Sequence, residues 1–196
     1  LSLIQQAQAA PEKGAKTTLR EALLQAQRQG LARLDAHMLL LHSLGRSQHD
    51  RAWLLAHDDD AVPADTLVCY QALCQQRAAG VPVAYLTGHK QFYGLELAVD
   101  ARVLDPRPDT ETLVDWALEV LQPWHAPRVA DLGTGSGAIA LALQHQRPDA
   151  LVLAVDASPD ALAVAHANAR RLGLPVHFVR SHWLAGVAGP FEAIVS

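Results

Sequence analysis

The chain has 196 residues, half of them hydrophobic, with 16 Lys and Arg against 20 Asp and Glu and a formal charge of -4 at neutral pH. That length holds one large domain or two small ones with a real core, and the scattered basic residues offer no face for tight binding to naked nucleic acid. No apolar run is long enough to span a bilayer, and the opening residues lack the charged start and long apolar segment of a signal peptide.

Cys69 and Cys74, the only cysteines, fall on one expected helix at a spacing that suits neither a disulfide nor a zinc knuckle. A reducing, cytoplasmic setting fits. The ten histidines never form an H-x-H or H-x-x-x-H pair, so no metal site is expected.

From Thr17 to about Gly80 the pattern is helical. Thr18 and Glu21 make a capping box before Leu19, Ala22, Leu23 and Ala26, and Gly30 closes that helix. A second apolar set, Leu34, Met38, Leu41 and Leu44, stops at Gly45. Ser47 and Asp50 start a short third helix through Trp53 and Leu54, with Trp53 read as core. Pro63 opens a fourth through Leu67, Tyr70 and Leu73. Short links between such helices indicate a small bundle over residues 1–80. The texture changes at Gly80, where a proline, two glycines and alternation at Leu95, Leu97 and Val99 read as a β-hairpin linker over 81–104.

In the stretch Pro106-Arg107-Pro108-Asp109-Thr110-Glu111 two prolines hold the backbone extended before a helix carrying Leu113, Val114, Ala117, Leu118 and Leu121. Asp109 and Glu111 in the first turn suit the helix dipole; the functional reading places Arg107 and Glu111 at a pocket mouth. From Arg128 apolar strands alternate with helices, which implies a parallel sheet flanked by helices in an α/β domain over 105–196. Ligands of such sheets bind at the carboxyl ends of the strands. Asp131, Asp156 and the segment after Val179 all end strands and are expected to converge there.

The most informative turn is Asp131-Leu132-Gly133-Thr134-Gly135-Ser136-Gly137. Glycines at alternate positions let a ligand approach the backbone, and the N–H groups of the next helix face it. Gly133, Gly135 and Ala138 satisfy a loose dinucleotide fingerprint, with Asp156 near the expected ~20 residues on; a nicotinamide-dependent oxidoreductase is therefore one reading. An acid followed by alternate glycines is instead what class I methyltransferases use for S-adenosylmethionine. In that reading Asp131 favours the cofactor's ammonium, the turn from Gly133 to Gly137 holds its amino-acid end, Asp156 accepts from both ribose hydroxyls, and Trp183 packs on adenine.

With these motifs the chain resembles the protein-(glutamine-N5) methyltransferases that modify peptide chain release factors, over nearly its whole length: the helical bundle, the hairpin around PVAYLTGHKQFYGLEL, PRPDTETLV, DLGTGSGAIALAL, AVDASPDALAVAHANA and SHWL. The resemblance implies a class I, Rossmann-like doubly wound sheet, S-adenosylmethionine held by Gly133 to Gly137, Asp156 and Trp183, release factors as partners docked by the bundle, and a monomer. Two positions depart from the family pattern: His182 stands where an acid is usual, and Asp105 where an apolar residue is usual. In the family the strand resembling FEAIVS is followed by Asn-Pro-Pro-Tyr, which holds the substrate amide; that motif is not in these 196 residues. The chain therefore reads as an incomplete version of a longer protein, with little or no activity expected of this form. DNA adenine-N6 methyltransferases, which pose the same geometric problem, are the alternative, disfavoured by the acidic balance; a non-catalytic module that kept the fold is another.

Overall fold

The computed structural model describes residues 16–196, so the opening segment lies outside the described residues. The chain forms two compact units, one ending at Gly80 and one beginning at Val81.

In the first unit Thr18 caps α1 (Leu19–Arg28): its hydroxyl accepts the Glu21 N–H at 3.2 Å while the Glu21 carboxylate accepts the Thr18 N–H at 3.0 Å. The expected stripe Leu19, Ala22, Leu23 and Ala26 is buried. α2 (Arg33–Ser43) buries a different face from the expected one. Leu34 is exposed, and Ala36, His37, Leu39, Leu40 and Leu41 lie inside. Leu41 is common to both stripes, and packing against α1 and α4 (Ala64–Ala78) selects the one that also buries Leu39 and Leu40. Burial, with Arg33 and Arg51 nearby, pushes the His37 pKa down and keeps its imidazole neutral. On the short α3 (Arg51–Ala56), Trp53 is half-buried rather than core, stacked on His57 at 4.4 Å with the Arg46 guanidinium 3.5 Å from its ring centre. An Arg77–Asp35 bridge of 2.7 Å joins α4 to α2.

The second unit starts with α5 (Val83–Thr87), where the sequence suggested hairpin; Pro82 precedes the helix and Gly88, in the left-handed region, ends it. The hairpin proper is β1 (His89–Phe92) and β2 (Leu95–Ala98), joined by Tyr93 and Gly94 at φ +49° and +76°, the sign pattern of a type I′ turn. Phe92, Leu95, Leu97 and Val99 join the core of this unit. After α6 (Thr110–Leu121) come β3 (Arg128–Leu132), α7 (Ala138–Gln146), β4 (Leu151–Asp156), α8 (Pro159–Leu172), β5 (His177–Arg180) and β6 (Ala193–Val195). The four strands are parallel in the order β5-β4-β3-β6, with Asp131 level with Ala154 and Val195.

One sheet face, with Val129, Val152 and Ala154, shares a core with α6, α7, α8 and the hairpin. The other, with Ala130, Leu132 and Val155, meets Val187 and Phe191. Among the described residues β6 pairs only with β3, and Trp116, Val120 and Ile194 stand exposed beside it. No helix of the described residues is long and apolar enough to cross a membrane.

Candidate cofactor site

The carboxyl ends of β3, β4 and β5 meet at a cavity of about 320 Å³ whose lining includes Gly133, Asp156, Ser181, His182 and Trp183. This is where ligands of open parallel sheets sit, and the size suits a small organic molecule.

The turn after β3 is fixed from several sides. The Gly133 and Thr134 N–H groups donate to the Val155 carbonyl at 2.8 and 2.9 Å, Gly137 N–H donates to Thr134 O at 2.8 Å, and Gly135 N–H donates to Asp156 Oδ2 at 3.0 Å. Gly133, Gly135 and Gly137 all have positive φ. Their surroundings differ. A Cβ on Gly133 would meet nothing within 4 Å, whereas one on Gly137 would come within 3.0 Å of Leu141 Cδ1 and 3.2 Å of Ala165 Cβ. Gly133 is therefore the open face of the turn and Gly137 its packed face. Thr134 and Ser136 are buried, and neither lines the cavity.

Asp131 is also buried, 1% exposed, and does not line the cavity. Its Oδ2 accepts from Thr134 Oγ1 at 2.6 Å and from the Ala140 N–H at 3.2 Å, so it pins both the turn and the start of α7; its Oδ1 is buried with no partner. Burial pushes its pKa up to about 6, opposed by those two hydrogen bonds and assisted by the neighbouring Asp156 charge. Asp156 is half-buried, with Oδ1 accepting the Ser158 N–H at 2.9 Å as α8 begins. Trp183 is 70% exposed and holds φ at +53°, a conformation unusual for an aromatic residue. The bend that presents it is closed by Ala185 N–H to His182 O at 3.1 Å and by the Ser181 hydroxyl to Ala185 O.

Of the residues singled out from sequence, the cavity brings together Gly133, Asp156 and Trp183, with Gly135 attached through Asp156. Arg107 and Glu111 are not in its lining. Arg107 is exposed, and Glu111 is engaged elsewhere: its Oε1 accepts the Tyr93 N–H at 2.8 Å, while the Tyr93 hydroxyl donates to Asp115 at 2.6 Å. Glu111 thus fastens the tip of the hairpin to α6. Replacing it with alanine is expected to lower stability by about 1–2 kcal/mol through the unpaired amide, read by urea melts; a loss too small to resolve would contradict the clamp.

Two positions were not identified as site residues from the sequence. His182 lines the cavity directly. Asn168 is 0% exposed and hydrogen-bonds both Ala98 and Ser136. The signal for Asn168 lies in the pattern of α8, where Ala161, Val164, Ala165 and Ala169 are buried and an amide interrupts the apolar stripe.

A parallel α/β sheet with a glycine turn and a cavity at its carboxyl edge is the frame of a class I methyltransferase domain, and residues 110–196 match the model of the methyltransferase small domain. Residues 17–88 match the PrmC N-terminal domain. Release factor glutamine methyltransferases of Xylella fastidiosa strain Temecula1, Bordetella pertussis and Escherichia coli K12 are 48%, 52% and 43% identical to the chain, covering 89%, 85% and 91% of it. The chain is thus similar to release factor glutamine methyltransferases over most of its own length, and it spans 63%, 62% and 64% of the length of those relatives.

Proposed function

We propose that the protein transfers a methyl group from S-adenosylmethionine to the side-chain amide nitrogen of the glutamine in the Gly-Gly-Gln motif of peptide chain release factors. The similarity to release factor glutamine methyltransferases supports the reaction and its substrate. The observation that carries the cofactor is the open Gly133 backbone at a cavity that also holds Asp156 and Trp183, with the buried, unpartnered Asp131 carboxylate oxygen in the strand leading into that turn.

The residues fit the cofactor. Gly133 admits its amino-acid portion against the backbone, the buried Asp131 carboxylate favours its ammonium through charge, Asp156 accepts from the ribose hydroxyls, and Trp183 gives adenine an exposed ring to pack on. The buried Thr134, Ser136 and Gly137 and the half-buried Gly135 act by holding the turn in shape. Bound there, S-adenosylmethionine supplies an electrophilic methyl group on sulfur.

The acceptor nitrogen is a poor nucleophile because its lone pair is delocalised into the carbonyl, so the protein's main resource is positioning the amide in line with the breaking bond. Arg107, ahead of α6, and Glu111, in its first turn, belong to the acceptor side of this reading, Glu111 through its hold on the hairpin. The helical unit up to Gly80 docks the release factor.

Incubating the full-length protein with S-adenosylmethionine and a release factor should add one methyl to that glutamine, read by peptide mass spectrometry. An unmodified glutamine, under conditions where S-adenosylhomocysteine raises the melting temperature, would sink the proposal; a rise with NAD instead would replace the cofactor class. The 196-residue polypeptide, which lacks Asn-Pro-Pro-Tyr, is expected to bind S-adenosylhomocysteine and leave the glutamine unmodified.

A further inference from the structure

The second unit has one buried side chain that touches both the glycine turn and the hairpin. Asn168 on α8 accepts the Ala98 N–H on Oδ1 at 2.7 Å and donates Nδ2 to the Ala98 carbonyl at 2.9 Å, so its amide pairs with the end of β2 as another strand would. The same Nδ2 donates to the Ser136 carbonyl at 3.0 Å. Arg171 Nη2 approaches Oδ1 at 3.4 Å from the next turn of α8 and donates to the Glu96 carbonyl.

This arrangement fixes the chemistry of the side chain. An N–H faces its oxygen and two carbonyls face its nitrogen, so the carboxamide is the one group of this shape that satisfies all three. Aspartate has the same outline and would set a carboxylate against two carbonyl oxygens.

The Ser136 bond matters because of the peptide it holds. A peptide unit is planar, so the Ser136 carbonyl and the Gly137 N–H turn together. Asn168 grips the plane by the carbonyl, and Thr134 O grips it by the N–H at 2.8 Å. With both in place the Gly135–Gly137 backbone has one orientation. Losing the first lets the plane rotate about Ser136 and Gly137, the latter already at φ +83°.

We infer that Asn168 is a positioning residue for the cofactor site, coupling the conformation of the glycine turn to the β1–β2 hairpin through one buried carboxamide. The inference rests on the cofactor reading proposed above. It assigns the hairpin a role in setting cofactor affinity, beyond its contribution to the core. Since Glu111 holds the opposite end of the hairpin, the turn, through Asn168, and the start of α6 are both hydrogen-bonded to the same hairpin, one at each end.

Arg171 provides the control, because it bonds the hairpin at Glu96, reaches the Asn168 oxygen only at 3.4 Å while leaving the two Asn168 Nδ2 bonds intact, and has no hydrogen bond to the turn. Binding of S-adenosylhomocysteine, measured by titration calorimetry on the full-length protein, should weaken at least about tenfold in Asn168→Asp. In Arg171→Ala it should stay within about twofold of the parent, whatever each variant does to the melting temperature.

Equal weakening in the two variants would reduce Asn168 to a packing residue, and parental affinity in Asn168→Asp would overturn the inference outright. If Asn168→Asp does not fold, amide exchange in the parent protein decides. Saturation with S-adenosylhomocysteine should slow exchange of the Ala98 N–H along with that of Gly137, and protection confined to the turn contradicts the coupling. A parent protein that binds no S-adenosylhomocysteine at all would instead count against the cofactor reading itself.

Discussion

Alanine at Gly133 and alanine at Gly137 are expected to fail in opposite ways. The two glycines lie four residues apart in one turn, both with φ near +80°, so a methyl group brings the same backbone penalty of about 1–2 kcal/mol at either. At Gly137 the methyl also meets Leu141 Cδ1 at 3.0 Å and Ala165 Cβ at 3.2 Å. Leu141 and Ala165 are both fully buried core residues with little room to give, and overpacking of this kind costs a further ~1–3 kcal/mol.

Gly137→Ala should therefore lose about 2–5 kcal/mol, a melting-temperature drop on the order of 10 °C for a protein of this size. Gly133→Ala meets no protein atom and should lose only the backbone penalty. Its methyl enters the space beside the turn that the cofactor is proposed to occupy, and affinity for S-adenosylhomocysteine should fall by tenfold or more. Thermal melts with and without S-adenosylhomocysteine separate the two: Gly137→Ala melts early and is still shifted upward by ligand, whereas Gly133→Ala melts near the parent and is not shifted. Parental binding by Gly133→Ala would remove the cofactor from this side of the turn.

The contrast also shows what was legible in the sequence. The turn, its glycines and the strand ends at Asp131 and Asp156 were readable because each is encoded within a few consecutive residues: apolar alternation, an acid, a break. The Thr18–Glu21 capping box was readable for the same reason. Which glycine faces ligand and which faces core was not, because Leu141 and Ala165 are brought to Gly137 by the packing of α7 and α8. Asn168 was invisible as a site residue for a stronger form of that reason, its partners lying 70 and 32 residues away.

Glu111 shows the same limit. Its place beside two prolines was plain, but its bond to Tyr93 depends on the hairpin folding back onto α6. On α2 the expected stripe of Leu34, Met38, Leu41 and Leu44 gave way to one through Leu39, Leu40 and Leu41, which contact with the neighbouring helices selects.

Asp131 should give the protein a pH signature in both stability and cofactor affinity. Its pKa is near 3.8 in an unfolded chain and about 6 in the fold, where desolvation outweighs the hydrogen bonds from Thr134 and Ala140. Below 3.8 both states hold the proton and the full contribution is present. Between 3.8 and 6 the folded protein keeps a proton that the unfolded chain has released, so this contribution to stability falls as pH rises and is lost above about 6. From the difference of roughly two pH units the loss is on the order of 3 kcal/mol.

Other carboxylates act in the reverse sense. Asp100, for example, is held down to about 2 by its hydrogen bonds with Arg102, so the measurement must compare the parent with Asp131→Asn. The asparagine oxygen can still accept from Thr134 and Ala140, and the difference in stability between the two proteins should change with a slope confined to pH 4–6.5. The ligand follows the opposite sign. The ammonium of S-adenosylhomocysteine favours the ionised carboxylate, so the parent should bind about tenfold more weakly at pH 5 than at pH 7.5. Asp131→Asn should bind weakly at both values, with a much flatter profile. Calorimetric titrations across that range decide the point, and a parent whose affinity does not respond to pH would separate the Asp131 charge from the cofactor's ammonium.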